Sequence, residues 1–302
     1  MRVDNKGNNL TKITNQKKRR KDMKNVKRFS ILAAVLVLAL GILTACGGSS
    51  DSGSADGDSA DKTIKVAASP TPHAEILNAI SDELAAEGWT LEVIEFDDYV
   101  QPNVATTDGD VDANYFQHVP YLDEYNEQNG TDLVAVGNVH YEAMGVYKGT
   151  KDSFDALEDG DKIGIPNDGT NGARALQLLE ANGVLKLKED AGVTATEQDI
   201  VENPKNLEIV PLEAATIPAS LPDLALGVIN YNYANGAGFT QDDAVALETA
   251  DSDAAETFVN VIVVNAGNEN SEKTQALVKA VQSDTVKNFI LDNYNGLIQP
   301  KF

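Results

Sequence analysis

The sequence predicts an α/β protein of two lobes flanking a cleft, exported and tethered at its N-terminus. Three observations lead there. Over residues 63–302, short β-branched runs alternate with helical patterns, as expected for strands of a largely parallel sheet covered by helices. The chain has 302 residues, 42% of them hydrophobic and 24% charged, enough for two lobes with buried cores. The stretch before residue 63 carries no such alternation and reads as an address followed by a spacer.

The elements follow in order. Ile64-Lys65-Val66-Ala67-Ala68 is a strand, Ser69-Pro70-Thr71-Pro72 a turn, and residues 73–87 a helix with Ile76, Leu77, Ile80 and Leu84 on one face. Gly88 ends it, and residues 91–96 return as a strand, completing a strand–helix–strand unit. Strand patterns recur at 133–136, 145–147, 162–166, 207–210, 224–229 and 258–264. A polar loop, 167–171, leads into a helix over about 172–182, and helices over 271–284 and 285–294 close the chain.

The N-terminus is basic from Lys17 to Lys21 and again at Lys24, Lys27 and Arg28. An apolar run over residues 29–43 follows, interrupted by Ser30 and Gly41 and shorter than the ~20 residues of a spanning helix. A basic region, a short apolar core and small residues describe a secretory signal over 1–45. Its exit, Leu43-Thr44-Ala45-Cys46, is similar to the lipobox of bacterial lipoproteins, where cleavage precedes a cysteine that receives diacylglycerol. Cys46 is the only cysteine, so no disulfide framework or cysteine zinc site exists within one chain; the alternative for it is a buried thiol behind a membrane anchor. Residues 47–61 hold only Gly, Ser, Asp and Ala, so 46–62 reads as a lipidated tether. Met23 opens a complete basic region of its own and is a second candidate start.

Charge is split. The first 45 residues hold 11 Lys and Arg against two acids, and the remainder 13 against 45. An acidic body repels phosphate backbones and anionic headgroups, which argues against nucleic-acid partners and against a basic membrane patch.

The body contains one arginine among twelve lysines. Arg174 is expected in the first turn of the helix after Ile163-Gly164-Ile165-Pro166, at the strand end that faces the cleft in α/β lobes. Its planar fork can grip a carboxylate through two hydrogen bonds, and Asp168, Thr170 and Asn171 can cap the helix beside it. The alternative is a surface arginine. A second group is Phe116, His118 and Tyr121, joined by Tyr99, in a chain that is only 6% aromatic. A strand end entering a helix brings these rings to one wall, suited to an apolar ligand tail with a polarizable atom, or equally to a core cluster.

Other chemistry is unsupported. Asp108-Gly109-Asp110-Val111-Asp112-Ala113-Asn114 resembles the start of a calcium loop, but Ala113 stands where the turn glycine is required and Val119 where the bidentate Glu belongs. His73, His140 and His118 show no metal-ligand spacing, and there is no nucleophile elbow, zinc-protease helix or phosphate loop.

The body resembles the methionine-binding lipoproteins of bacterial ABC importers, the NlpA or MetQ family. The resemblance is carried by Asp97-Asp98-Tyr99-Val100-Gln101-Pro102-Asn103, by Gly109 and Asp110 through Phe116-Gln117-His118, by Leu133-Val134-Ala135-Val136-Gly137-Asn138, by Ile165-Pro166-Asn167-Asp168 and by Val201-Glu202-Asn203-Pro204-Lys205-Asn206-Leu207. It implies a type II periplasmic solute-binding fold, with lobe I at 63–142 and 258–302, lobe II at 143–257, and two crossing strands between them. It implies a monomeric binding protein without catalysis, cofactor or metal. The protein is expected to be held to the outer face of the cell membrane by lipid on Cys46. There it delivers methionine, as one or either enantiomer, to a permease with a cytoplasmic ATPase. By the same resemblance Arg174 holds the ligand carboxylate, Asn230 and Asn260 contact the amino-acid backbone, and Tyr99, Phe116, His118 and Tyr121 box the side chain. Tyr231 and Asn232 are larger than the residues expected beside Asn230. The rival readings are another amino acid or a methionine-containing dipeptide as ligand, a lipid-anchored enzyme, and an adhesin.

Overall fold

The strand Leu133–Glu142 lies in one sheet and the next, Gly145–Lys148, in another, with only Ala143 and Met144 between them. The computed structural model describes residues 61–249 and 251–302, which fall in one compact unit. The address, Cys46 and the spacer up to residue 60 lie outside the described residues. Among those described, no helix is long and apolar enough to cross a membrane.

The first sheet has six strands in the order Ile298–Pro300, Leu133–Glu142, Val259–Asn265, Ala113–His118, Thr63–Ala68 and Thr90–Glu95. The last three are mutually parallel neighbours, while Val259–Asn265 runs antiparallel to both its partners. The second sheet has five, in the order Ala244–Leu247, Gly145–Lys148, Leu226–Ile229, Lys162–Pro166 and Glu208–Leu212. Each sheet thus mixes parallel strands made by helical crossovers with antiparallel strands where the chain passes to or from the other sheet. The second passage runs from Ala244–Leu247 to Val259–Asn265 through the short helix Asp253–Thr257. The passages touch, with Glu248 N donating to Met144 O at 2.9 Å. This is the two-lobed type II fold.

Each sheet has its own core. Ile64, Val66, Ile76, Leu77, Ile80, Tyr115, Ile262 and Leu277 are among those that pack the first, and Met144, Ile163, Leu176, Leu179, Leu226 and Val228 the second. A fully buried aliphatic side chain contributes about 1.5–3 kcal/mol, so each lobe is stabilised apart from the contact between them.

Several expected elements shift. The helix over 73–87 divides into Glu75–Ala79 and Ser81–Ala86 at Ile80, although Leu84 N still donates to Ile80 O at 3.0 Å. The helix expected at 172–182 spans Gly169–Ala181, because Asp168 caps it and accepts from Asn171 N at 2.9 Å. That cap outweighs the poor helix propensity of Gly169, Thr170, Asn171 and Gly172. Arg174 therefore sits in the second turn, not the first. The Asp108–Asn114 stretch also becomes structural: Gly109 ends the helix Gln101–Asp108 with φ +78°, and Asp112 binds Lys273 at 2.9 Å and Lys65 N at 2.8 Å.

The lobes are closed on each other. Glu124, from the helix Val119–Asn129, accepts from Gly169 N at 3.2 Å and Thr170 N at 3.1 Å, the free N–H groups that open the helix Gly169–Ala181. A Cβ on Gly169 would stand 2.5 Å from the Glu124 carboxylate, so glycine is what admits it. Asn235 Nδ2 donates across the cleft to Thr71 Oγ1 at 2.7 Å.

Candidate functional site

A narrow cavity lies between the lobes. All seven residues expected to bind a ligand line it: Tyr99, Phe116, His118, Tyr121, Arg174, Asn230 and Asn260.

The ring wall is built by one strand and the helix that follows. The strand Ala113–His118 is buried at every residue and ends at His118, which caps the helix Val119–Asn129 by accepting from Tyr121 N through Nδ1 at 3.2 Å. Nε2 therefore carries the proton and donates to Asn171 Oδ1 of the other lobe at 3.2 Å. Burial, with Arg174's charge second, brings His118 down to about 3, so it works as a neutral donor. Centroid distances of 5.9 Å separate Tyr99 from Phe116, Tyr99 from Tyr121 and Phe116 from Tyr121, in tilted and edge-on arrangements. Tyr121 donates its hydroxyl to Tyr99 O at 3.0 Å, and Tyr99 donates its own across the cleft to Asn232 Oδ1. Asn232 and Tyr231, the residues larger than expected, thus become part of the wall.

The polar wall comes from many elements. Arg174 is 4% exposed, and two of its three guanidinium nitrogens are committed to protein. Nε donates to Glu248 Oε1 at 2.9 Å, and Nη2 to Glu248 Oε2 at 2.6 Å and Glu142 O at 2.7 Å. The planar fork expected to grip a ligand faces Glu248 instead. Nη1 alone has no partner among the described residues, so Arg174 offers a ligand one edge of the guanidinium. Its Cζ lies 4.5 Å from the Phe258 ring centre and 5.7 Å from that of Tyr141. Burial works to lower its pKa, but the Glu248 carboxylate overrides that and raises it, keeping the charge. Tyr141 Oη and Met144 N also donate to Glu248 Oε2, so this ion pair pins both passages between the lobes.

Asn230 Nδ2 donates to Asn171 Oδ1 at 2.8 Å, while Asn230 Oδ1 is buried with no partner. An unsatisfied buried carbonyl costs about 1–3 kcal/mol, which a ligand N–H would recover. Asn260 Oδ1 pairs with His73 Nε2 at 3.0 Å, leaving its Nδ2 without a protein partner among the described residues.

One buried group was not legible from spacing. His73, His140 and Glu142 each place a ligating atom within 4.8 Å of the others, an arrangement able to hold a cation. The hydrogen bonds fill it in another way. Glu142 Oε1 lies 2.7 Å from His140 Nε2 and 3.2 Å from His73 Nε2, and Tyr115 Oη bonds His140 Nδ1. A carboxylate only accepts, so both Nε2 atoms carry protons and Tyr115 donates to Nδ1. Burial lowers His73 to about 4 and His140 to about 3, so both stay neutral, and burial raises the Glu142 carboxyl. Glu142 lines the cavity, as do Gln117 and Asn171.

A sequence model of the NlpA lipoprotein family matches residues 64–302. The chain belongs to the NlpA lipoprotein family. Among relatives, the D-methionine-binding lipoprotein MetQ of Escherichia coli K12 is 43% identical over 212 residues, covering 69% of this chain and 77% of its own. The structure of a nutrient-binding protein from Burkholderia cenocepacia, bound to methionine, matches at 42% identity and TM-score 0.74, over 79% of this chain and all of that one. An ABC-transporter periplasmic substrate-binding protein from Coxiella burnetii matches at 35% identity and TM-score 0.73, over 79% and 100%. The family match spans both sheets and every cavity residue named above.

Proposed function

We propose that this protein is a lipid-anchored, extracytoplasmic binding protein that captures methionine and delivers it to an ABC permease driven by a cytoplasmic ATPase. The observation that carries the reading is the division of the cavity: three packed rings and His118 on one side, and Arg174, Asn230 and Asn260 with unused polar atoms on the other. A thioether chain suits the rings, where sulfur–aromatic contacts contribute about 0.3–1.5 kcal/mol. The amino-acid end suits the polar groups, with Arg174 Nη1 and Asn260 Nδ2 as donors to a carboxylate.

Lobe I is taken as 63–142 and 258–302 and lobe II as 143–257. A ligand held by both favours closure to the extent that it binds the closed state better than the open one. The protein performs no chemistry on it and acts as a monomer. The anchor is lipid on Cys46: Cys46→Ser should leave the protein unprocessed or move it from the membrane to the soluble fraction, and unchanged fractionation would refute the anchor. For the ligand, mass spectrometry of what purified protein releases on unfolding should find methionine. Refolded protein should then be stabilised by about 2.7 kcal/mol at methionine 100 times its dissociation constant. A larger effect from glutamine, whose amide the ring wall would desolvate, would refute the substrate.

A further inference from the structure

The first turns of two helices meet across the cleft, and each helix carries cavity residues. Val119–Asn129, in lobe I, holds Tyr121, and Gly169–Ala181, in lobe II, holds Asn171 and Arg174. Between them stands Glu124, half-buried and not among the residues that line the cavity.

Its carboxylate spans the seam. Oε1 accepts from Gly169 N at 3.2 Å and Oε2 from Thr170 N at 3.1 Å, while Gln128 Nε2, one turn further along the same helix, donates to Oε1 at 2.8 Å and aims it. Asp168 takes the next N–H, that of Asn171, at 2.9 Å. Two carboxylates thus share one helix end, one from the same lobe and one from the other. The first N–H groups of a helix have no partner within it and carry the positive end of its dipole, so an anion is attracted there.

Attraction across this seam has to be specific. With the bounds taken above, lobe I carries 20 acids against 5 bases and lobe II 21 against 7. Two such bodies repel as they approach. Glu124 turns one of those negative charges into a contact, and Gly169 is the matching half. The three nearest atoms that a Cβ on Gly169 would meet all belong to Glu124, from 2.5 Å at Oε1 to 3.2 Å at Oε2. Alanine there would displace the flexible carboxylate and leave the helix in place.

We propose that Glu124 and Gly169 form a latch that holds the lobes closed and lengthens the time a ligand stays bound, without touching the ligand. The latch senses closure, so it raises affinity for every ligand that closes the cleft by one common factor. The proposal rests on the reading of a binding protein that closes on its ligand, and not on which ligand that is.

Calorimetric titration and stopped-flow displacement of methionine and norleucine test it. Glu124→Ala should weaken both by the same factor, about 3- to 10-fold, through faster dissociation, with their ratio kept within about twofold. Gly169→Ala should do the same without lowering the melting temperature of the unliganded protein, since alanine is the better helix former. The two together should cost no more than either alone, because each opens the same latch. An effect under about twofold in Glu124→Ala, a methionine-to-norleucine ratio moved more than about threefold, or additive losses in the double variant overturns the latch. Wild type that binds neither compound removes the methionine reading, and amide exchange at Gly169 and Thr170 in the protein as purified then decides the latch by itself. Exchange slower in wild type than in Glu124→Ala supports it, and equal rates overturn it.

Discussion

The two walls of the cavity are built in opposite ways. The ring wall is nearly contiguous: Phe116, His118 and Tyr121 sit on one strand and the first turn of the next helix, with Tyr99 leaning in from a nearby segment. The polar wall is assembled from Arg174 in one helix, Asn230 after another strand, Asn260 on the returning strand, and Glu142 and Glu248 at the passages between lobes. The first is fixed by local packing inside one lobe. The second exists only when both lobes and both passages are in place. A local wall tolerates perturbation elsewhere, whereas a distributed wall is coupled to the stability of the whole cleft.

Breaking the Arg174–Glu248 pair should therefore have the largest effect. Arg174→Met leaves a buried carboxylate uncompensated, and removing one partner of such a pair costs about 3–5 kcal/mol. Denaturant unfolding should show that loss, with methionine binding lost too. The double variant Arg174→Met with Glu248→Leu removes both charges and should recover most of the stability without recovering binding. If the double variant binds methionine as wild type does, Arg174 serves the fold alone.

The same contrast explains what was legible from residues alone. The ring group stands out because three aromatics fall within six residues of an aromatic-poor chain, and strand-to-helix geometry turns them to one side. Arg174 stands out as the lone arginine, but its fork's true partner, Glu248, is 74 residues away and one of 47 acids. Glu142 and the His73–His140 pair were invisible for a like reason: the histidines are 67 residues apart, one in the helical turn Pro70–Ala74 and one on the strand Leu133–Glu142, and only the folded lobe brings them together. Asn230 and Asn260 came from family resemblance, not from physics. The strands Ala244–Leu247 and Ile298–Pro300 were missed because each is short and pairs with distant sequence. The start of the Gly169–Ala181 helix was missed because a side-chain cap prevails over weak helix formers.

A smaller effect separates the walls through pH. His73, His118 and His140 are neutral when folded, lowered by burial to about 4, 3 and 3 from an ordinary 6.5. Below pH 6.5 the unfolded chain takes up protons that the folded chain refuses. Stability is thus fully present above 6.5 and declines as pH falls towards 4, by up to about 3 kcal/mol for His73 alone. Melting temperature against pH should show this decline, and His140→Gln should reduce its slope. A flat profile between pH 6.5 and 4 would contradict the burial of neutral histidines in both walls.

The central claim is that the walls read different ends of one ligand. A crystal structure of the protein grown with methionine tests it most directly. The anomalous signal of the ligand sulfur should lie against Tyr99, Phe116 and Tyr121, with the amino-acid end at Arg174 Nη1, Asn230 and Asn260. Sulfur found against Arg174 and Glu142, with the charged end among the rings, would contradict the account.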